Sequence, residues 1–140
     1  GATGRGGSAS AGAADVIVTT STIGISAAGA SLPGILRVQS NATGGLGGTV
    51  GNATSGRAIL SLTGSSLNVD QILVSATAFA DGGTGQTGGA ATSGEALLSL
   101  AGNSLANAPL IEIAANALTS AGGAARGGTA SLQLPIRIGE

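Results

Sequence analysis

One segment of this chain occurs twice. Thr54-Ser55-Gly56-Arg57-Ala58-Ile59-Leu60-Ser61-Leu62-Thr63-Gly64-Ser65-Ser66-Leu67 returns as Thr92-Ser93-Gly94-Glu95-Ala96-Leu97-Leu98-Ser99-Leu100-Ala101-Gly102-Asn103-Ser104-Leu105. The offset is 38 residues throughout (92 − 54), and 10 of the 14 positions are identical. Self-similarity at a fixed period of this length is the mark of a repeat architecture. In such a fold one unit cannot bury its apolar face alone and must stack on the next.

A second block follows each copy. Ile72-Leu73-Val74-Ser75-Ala76 corresponds at the same offset to Leu110-Ile111-Glu112-Ile113-Ala114. A diverged earlier copy reads Ile35-Leu36-Arg37-Val38-Gln39, preceded by Gly29-Ala30-Ser31-Leu32 as an echo of Gly64-Ser65-Ser66-Leu67. A partial later copy reads Gly128-Thr129-Ala130-Ser131-Leu132-Gln133-Leu134. Gly-rich stretches at 44–56, 82–94 and 122–128 separate the units. The expected unit is strand, tight turn, strand and Gly-rich loop, with a period in the mid-to-high thirties. The whole chain forms one repetitive β domain: a diverged repeat at 16–56, repeats at 57–94 and 95–127, and a partial repeat at 128–140.

Strands are expected because apolar and small polar residues alternate with period two in Ala58-Ile59-Leu60-Ser61-Leu62. Asp15-Val16-Ile17-Val18-Thr19-Thr20 and Pro135-Ile136-Arg137-Ile138 are short and β-branched, which also favours strand. Helix competes at Ala96–Ala101 and at 114–121, where Ala and Leu are good helix formers. Both segments are too short and too tightly bracketed by Gly or Asn to nucleate alone.

The fold class expected is all-β, a parallel β-solenoid (β-helix). Each unit has few large apolar side chains, each contributing about 1.5–3 kcal/mol on burial. Ordering the Gly-rich stretches costs about 1–2 kcal/mol per residue, so stability requires stacked neighbours. The alternative is a β-sandwich subunit that completes its neighbour by strand donation. Segments suited to donation or self-assembly contain Val16, Ile17 and Val18 near one end and Leu132, Leu134, Ile136 and Ile138 near the other. Stacking also places Arg57 and Glu95 at equivalent positions, which suggests an ion pair between adjacent layers.

Composition excludes several functions. The 140 residues include 27 Gly, one Phe and no Trp, Tyr, Met, Cys or His, with 8% charged residues and a net charge of −1. Five scattered arginines without aromatic neighbours do not make a nucleic-acid surface. No apolar run reaches the roughly 20 residues of a membrane span. Without His, Cys, Lys or Tyr the usual catalytic bases and nucleophiles are missing, and six carboxylates remain. Gly83-Thr84-Gly85-Gln86-Thr87-Gly88 matches a dinucleotide fingerprint, but a loop follows it where that fingerprint needs a helix. The Gly-rich stretches lack the Asp of calcium-binding nonapeptides, leaving Asp70 and Asp81 as at most a weak site. The sequons at Asn41 and Asn52 fit chance in a chain of this composition. No enzyme, cofactor or metal is expected. The chain opens Gly1-Ala2-Thr3-Gly4, which reads as processed or as a piece of a longer protein, with no targeting signal.

The pattern Gly-Gly … Thr-Ser-Gly-x-Ala-x-Leu-Ser-Leu-x-Gly-x-Ser-Leu resembles the Gly/Ala-rich β-strand-repeat regions of bacterial extracellular surface proteins. These are the passenger regions of autotransporter and filamentous-haemagglutinin-type adhesins. The resemblance, clearest over 35–134, implies a secreted, non-catalytic β-helical stalk, surface fibre or biofilm-matrix filament at the cell surface. The expected partner is the protein itself. The alternative is an adhesin module whose Gly-rich loops contact surface glycans or a host surface.

Overall fold

The computed structural model describes residues 4–25, 34–82 and 86–134. They form fourteen β-strands, and among them there is no helix. The chain makes successive passes through the same positions. The first pass is β1 (Ala9–Ser10), β2 (Ala14–Thr19), β3 (Thr22–Ile25) and β4 (Ile35–Thr43). The second is β5 (Ala53–Thr54), β6 (Ala58–Thr63), β7 (Ser66–Val69) and β8 (Gln71–Ala80). The third is β9 (Ala91–Thr92), β10 (Ala96–Ala101), β11 (Leu105–Asn107) and β12 (Leu110–Thr119), followed by β13 (Ala125–Arg126) and β14 (Ala130–Gln133). Each strand lies on its counterpart in the pass before, giving four sheets: β1-β5-β9-β13, β2-β6-β10-β14, β3-β7-β11 and β4-β8-β12. The strand pairings are parallel. The architecture is all-β and compatible with a β-solenoid. The helix alternatives at 96–101 and 114–119 are strands β10 and β12.

The Gly-rich stretches are more than connectors. Each of the three holds a two-residue strand, β5, β9 or β13, and with β1 these build a fourth sheet. A unit therefore has four strands where the sequence suggested two. Gly has little strand propensity of its own. These strands exist because a backbone of matching conformation lies alongside: Ala53 N–H donates to Ala90 C=O at 2.9 Å, and Ala91 N–H to Ala124 C=O at 2.8 Å.

Register departs from the sequence alignment in three places. Ala58 pairs with Ala96 at the expected offset of 38, but Ser66 pairs with Leu105 and Ile72 with Ile111, an offset of 39. The third pass has one extra residue at the corner, Gly102-Asn103 against Gly64. In the first pass Leu36 pairs with Ile72 and Val38 with Val74, an offset of 36, where aligning Ile35 with Ile72 implies 37. The counterpart of Ser66-Leu67 is Thr22-Ile23 of β3; the Gly29-Leu32 echo lies outside the described residues. The cause is side-chain parity, since a one-residue slip turns every side chain to the other face. At an offset of 38, β12 would direct Glu112 and Asn116 into the core; at 37, β4 would bury Arg37, Gln39 and Asn41.

The interior is wedge-shaped in composition. Its wide part holds Leu60, Leu62, Leu67, Val69, Ile72, Val74 and Leu98, all buried, between the β2, β3 and β4 sheets. Its narrow part holds Ala42, Val50, Ala53, Ala78, Ala80 and Ala91, between the β1 sheet and the far half of the β4 sheet. The β4-sheet strands run from one region to the other, so β8 buries Ile72 and Val74 first and Ala76, Ala78 and Ala80 afterwards. Alanine is thus concentrated where the β1 sheet faces the far half of the β4 sheet.

The corner between the β2 and β3 sheets reuses the same parts in each pass, with Asn103 as an extra residue in the third. A left-handed residue stands at Thr20 (φ 50°), Gly64 (φ 57°) and Gly102 (φ 65°). A serine follows at Ser21, Ser65 and Ser104, each hydroxyl donating back to a carbonyl at the end of the preceding strand. These serines also link passes: Ser21 N–H donates to Ser65 Oγ at 3.2 Å, and Ser65 N–H to Ser104 Oγ at 3.1 Å.

Candidate functional site

The two ends of the stack are where the chain has unsatisfied strand edges. On the N-terminal side β1, β2, β3 and β4 are each outermost in their sheets; on the C-terminal side β13, β14, β11 and β12 are. Val16, Ile17 and Val18 all lie in β2, paired on one side with β6. They form part of the chain's own sheet, in which β2 is the outermost strand on that side. Leu132 lies in β14, paired on one side with β10, and exposed Leu134 follows that strand. Ile136 and Ile138 lie outside the described residues.

The C-terminal end leaves its apolar layer uncovered. Leu98 and Ile72 are fully buried, while their counterparts Leu132 and Ile111 are 49% and 39% exposed. Inward-facing residues in mid-stack are covered by a pass on each side; these have a pass on one side only.

Two ladders of glycine run through the stack next to these edges. Gly7, Gly51, Gly89 and Gly123 stand two residues before β1, β5, β9 and β13 in turn; Gly12, Gly56, Gly94 and Gly128 stand two residues before β2, β6, β10 and β14. A Cβ on Gly51, Gly89 or Gly123 would come closer than 3.0 Å to the carbonyl oxygen of the glycine one pass earlier. The same holds for Gly56, Gly94 and Gly128 against Gly12, Gly56 and Gly94. For Gly7 and Gly12 no described atom lies within 4 Å. Buried serines hold this corner: Ser40 Oγ donates to Gly12 C=O at 2.7 Å and accepts from Gly56 N–H at 3.0 Å, and Ser55 Oγ accepts from Gly94 N–H at 3.0 Å.

The charged residues are arranged differently from the pairing suggested by the repeat. Arg57 meets Asp15 in the pass before it, through Nη2 at 2.6 Å and Nε at 3.2 Å. The Asp15 carboxylate, first by hydrogen bond and then by charge, holds the Arg57 guanidinium above its ordinary value, with a smaller push from Glu95. Glu95 sits directly across from Arg57 in the next pass, but the guanidinium fork turns the other way, where it engages one carboxylate through two nitrogens. Sequence reasoning missed Asp15 because its counterparts in the repeat, Ile59 and Leu97, are apolar. Asp70 is occupied structurally, its Oδ2 accepting from Gly34 N–H at 2.6 Å. Asn52 Oδ1 accepts from Arg5 Nη2 at 2.7 Å and from Ala90 N–H at 3.0 Å, and Asn107 donates to Asn68 at 3.3 Å.

Among the described residues no group of three or more His, Cys, Asp or Glu is placed to hold a metal ion. No helix among them is long and apolar enough to cross a membrane. Of the dinucleotide-like run, Gly83, Thr84 and Gly85 lie outside the described residues. Compared with known proteins, the chain matches no family model, no curated protein and no solved structure.

Proposed function

We propose that this chain is a structural, non-catalytic protomer or segment of a bacterial extracellular protein filament, such as a surface fibre, biofilm matrix or adhesin stalk, assembling through β-strand stacking. In this reading the four sheets are the faces of a parallel β-solenoid with a repeat in the mid-to-high thirties of residues. The observation that carries it is the pairing of each described strand with its own counterpart in the adjacent pass, with strand edges left open at both ends. Such edges template further strands. The resemblance to β-strand-repeat regions of bacterial surface proteins supports an extracellular setting.

The glycine-rich stretches also favour a fibre over a loop-based binder. Gly44, Gly47, Gly51 and Gly89 lie so close to neighbouring backbone that a Cβ on any of them would collide with it. They are packing elements, and contact loops would stand away from the stack. Electron microscopy of the purified protein at micromolar concentration tests the reading. Long uniform filaments with an axial or near-axial repeat of about 4.8 Å are expected. Dispersed short particles at every concentration would refute self-assembly.

A further inference from the structure

Gly7 and Gly12, the ladder glycines of the first pass, are not explained by packing among the described residues. In mid-stack the ladder positions must be glycine, because the carbonyl one pass earlier occupies the space of a side chain. In the first pass no described atom occupies that space beside Gly7 and Gly12. Inheritance from a repeat is a weak explanation, since the first pass has changed freely elsewhere. Asp15 stands where the second pass has Ile59, Ile17 where it has Ser61 and Ala13 where it has Arg57. Even the left-handed corner glycine, Gly64, has become Thr20, which takes φ 50° at a cost in strain. The first pass has thus given up a glycine that its own backbone favours, while keeping two that its own packing does not require.

The missing neighbour has a definite shape. The third-pass carbonyls of Gly89 and Gly94 face Gly123 and Gly128. Continued by one pass, the carbonyls of Gly123 and Gly128 are what would face glycine α-carbons at positions 7 and 12. Backbone polarity agrees. At the starts of these strands the earlier pass donates to the later: Ala9 N–H to Asn52 C=O, Ala53 to Ala90 and Ala91 to Ala124 in one ladder; Ala14 to Arg57, Ala58 to Glu95 and Ala96 to Thr129 in another. The next members would be Ala125 N–H to a carbonyl at position 8 and Ala130 N–H to one at position 13.

Building on the filament reading, we infer that the N-terminal edge, β1 and β2, is the docking site for the C-terminal edge, β13 and β14, of a second copy of this chain. The two copies join in parallel with Ala125-Arg126 of one beneath Ala9-Ser10 of the next and Ala130 beneath Ala14. Gly7 and Gly12 are the positioning residues of the joint, because only a residue without Cβ admits the opposing Gly123 and Gly128 carbonyls. The continuity is that of the existing ladders, with strand spacing of about 4.8 Å across the joint.

Cysteine cross-linking tests the register in a chain that has no cysteine of its own. Ser10 and Arg126 are both exposed. Within one chain they are three strand spacings apart, about 14 Å, whereas across the joint they are neighbours at about 4.8 Å, within disulfide range. Under mild oxidation the double variant Ser10→Cys, Arg126→Cys should give a ladder of disulfide-linked multimers on non-reducing gels. Each single variant should stop at dimers. Adding Gly7→Ala and Gly12→Ala should abolish the ladder while leaving the far-ultraviolet circular dichroism of the monomer unchanged and without lowering its urea midpoint. A ladder that survives the alanines overturns the role of the glycines. Filaments by microscopy without a cysteine ladder overturn this joint and leave the filament reading standing. A chain that stays monomeric throughout overturns both, and the edge then belongs to an adjoining segment of a longer polypeptide.

Discussion

Leucine truncation along one ladder measures how cover by neighbouring passes sets stability. Val16, Leu60, Leu98 and Leu132 are consecutive inward positions of the β2-β6-β10-β14 sheet. Leu60 is 0% exposed, with a strand paired on each side. Leu60→Ala removes its transfer free energy and leaves a cavity that rigid sheets cannot close, a loss of about 3 kcal/mol within the usual 2–5. Leu132 is 49% exposed in the edge strand, so about half its transfer term is present and no closed cavity forms. Leu132→Ala should therefore lose only about 1 kcal/mol. With a urea m-value of about 2 kcal/mol/M, the midpoints should fall by about 1.5 M and about 0.5 M. The chain has no Trp or Tyr, so the assay is far-ultraviolet circular dichroism in urea, in dilute solution. Equal losses at the two positions would refute the reasoning, because the end of the stack would then be as well covered as its middle.

Further outcomes follow from the corners and the charge pair. Gly64→Ala should lose about 1 kcal/mol purely from its φ of 57°, since nothing lies within 4 Å of the new Cβ; Thr20→Gly, at the matching corner, should shift the urea midpoint slightly upward. Ser65→Ala should lose about 1–3 kcal/mol by leaving the Ser21 N–H without its acceptor and Val18 C=O without one donor, and amide exchange at Ser21 should speed up. Because Asp15 raises the Arg57 value, that pair's contribution is fully present below the ordinary arginine range and is lost only as pH rises through the still higher folded value. Wild type and Arg57→Ala should therefore differ by a constant amount between about pH 6 and about pH 9 in urea titrations.

Much of the register was written in the sequence, though part of it went unread. The 38-residue repeat fixes β6 against β10 and β5 against β9, and those pairings stand. Beyond the corner the same offset would have put Glu112 and Asn116 inside, and the alternation of Ile111, Ile113 and Ala115 already pointed to 39. Arg37, Gln39 and Asn41 carried the same message for β4. The signal was polar parity, and identity between blocks masked it. At the joint, by contrast, Gly7 and Gly12 look like any other glycines until the space beside them is known.

The sequence by itself determined that this chain is β-structured, built from stacked units and filled with aliphatic residues facing one way. Those properties rest on alternation, repetition and the lack of long helical segments, all of which are local. Only the tertiary structure decided that the glycine stretches contribute strands, that Arg57 turns to Asp15, and which glycines are tightly faced and which stand open. These depend on which backbone lies alongside. In a parallel stack each partner is a whole pass away along the chain, and the residues gained or lost at each corner set where it arrives.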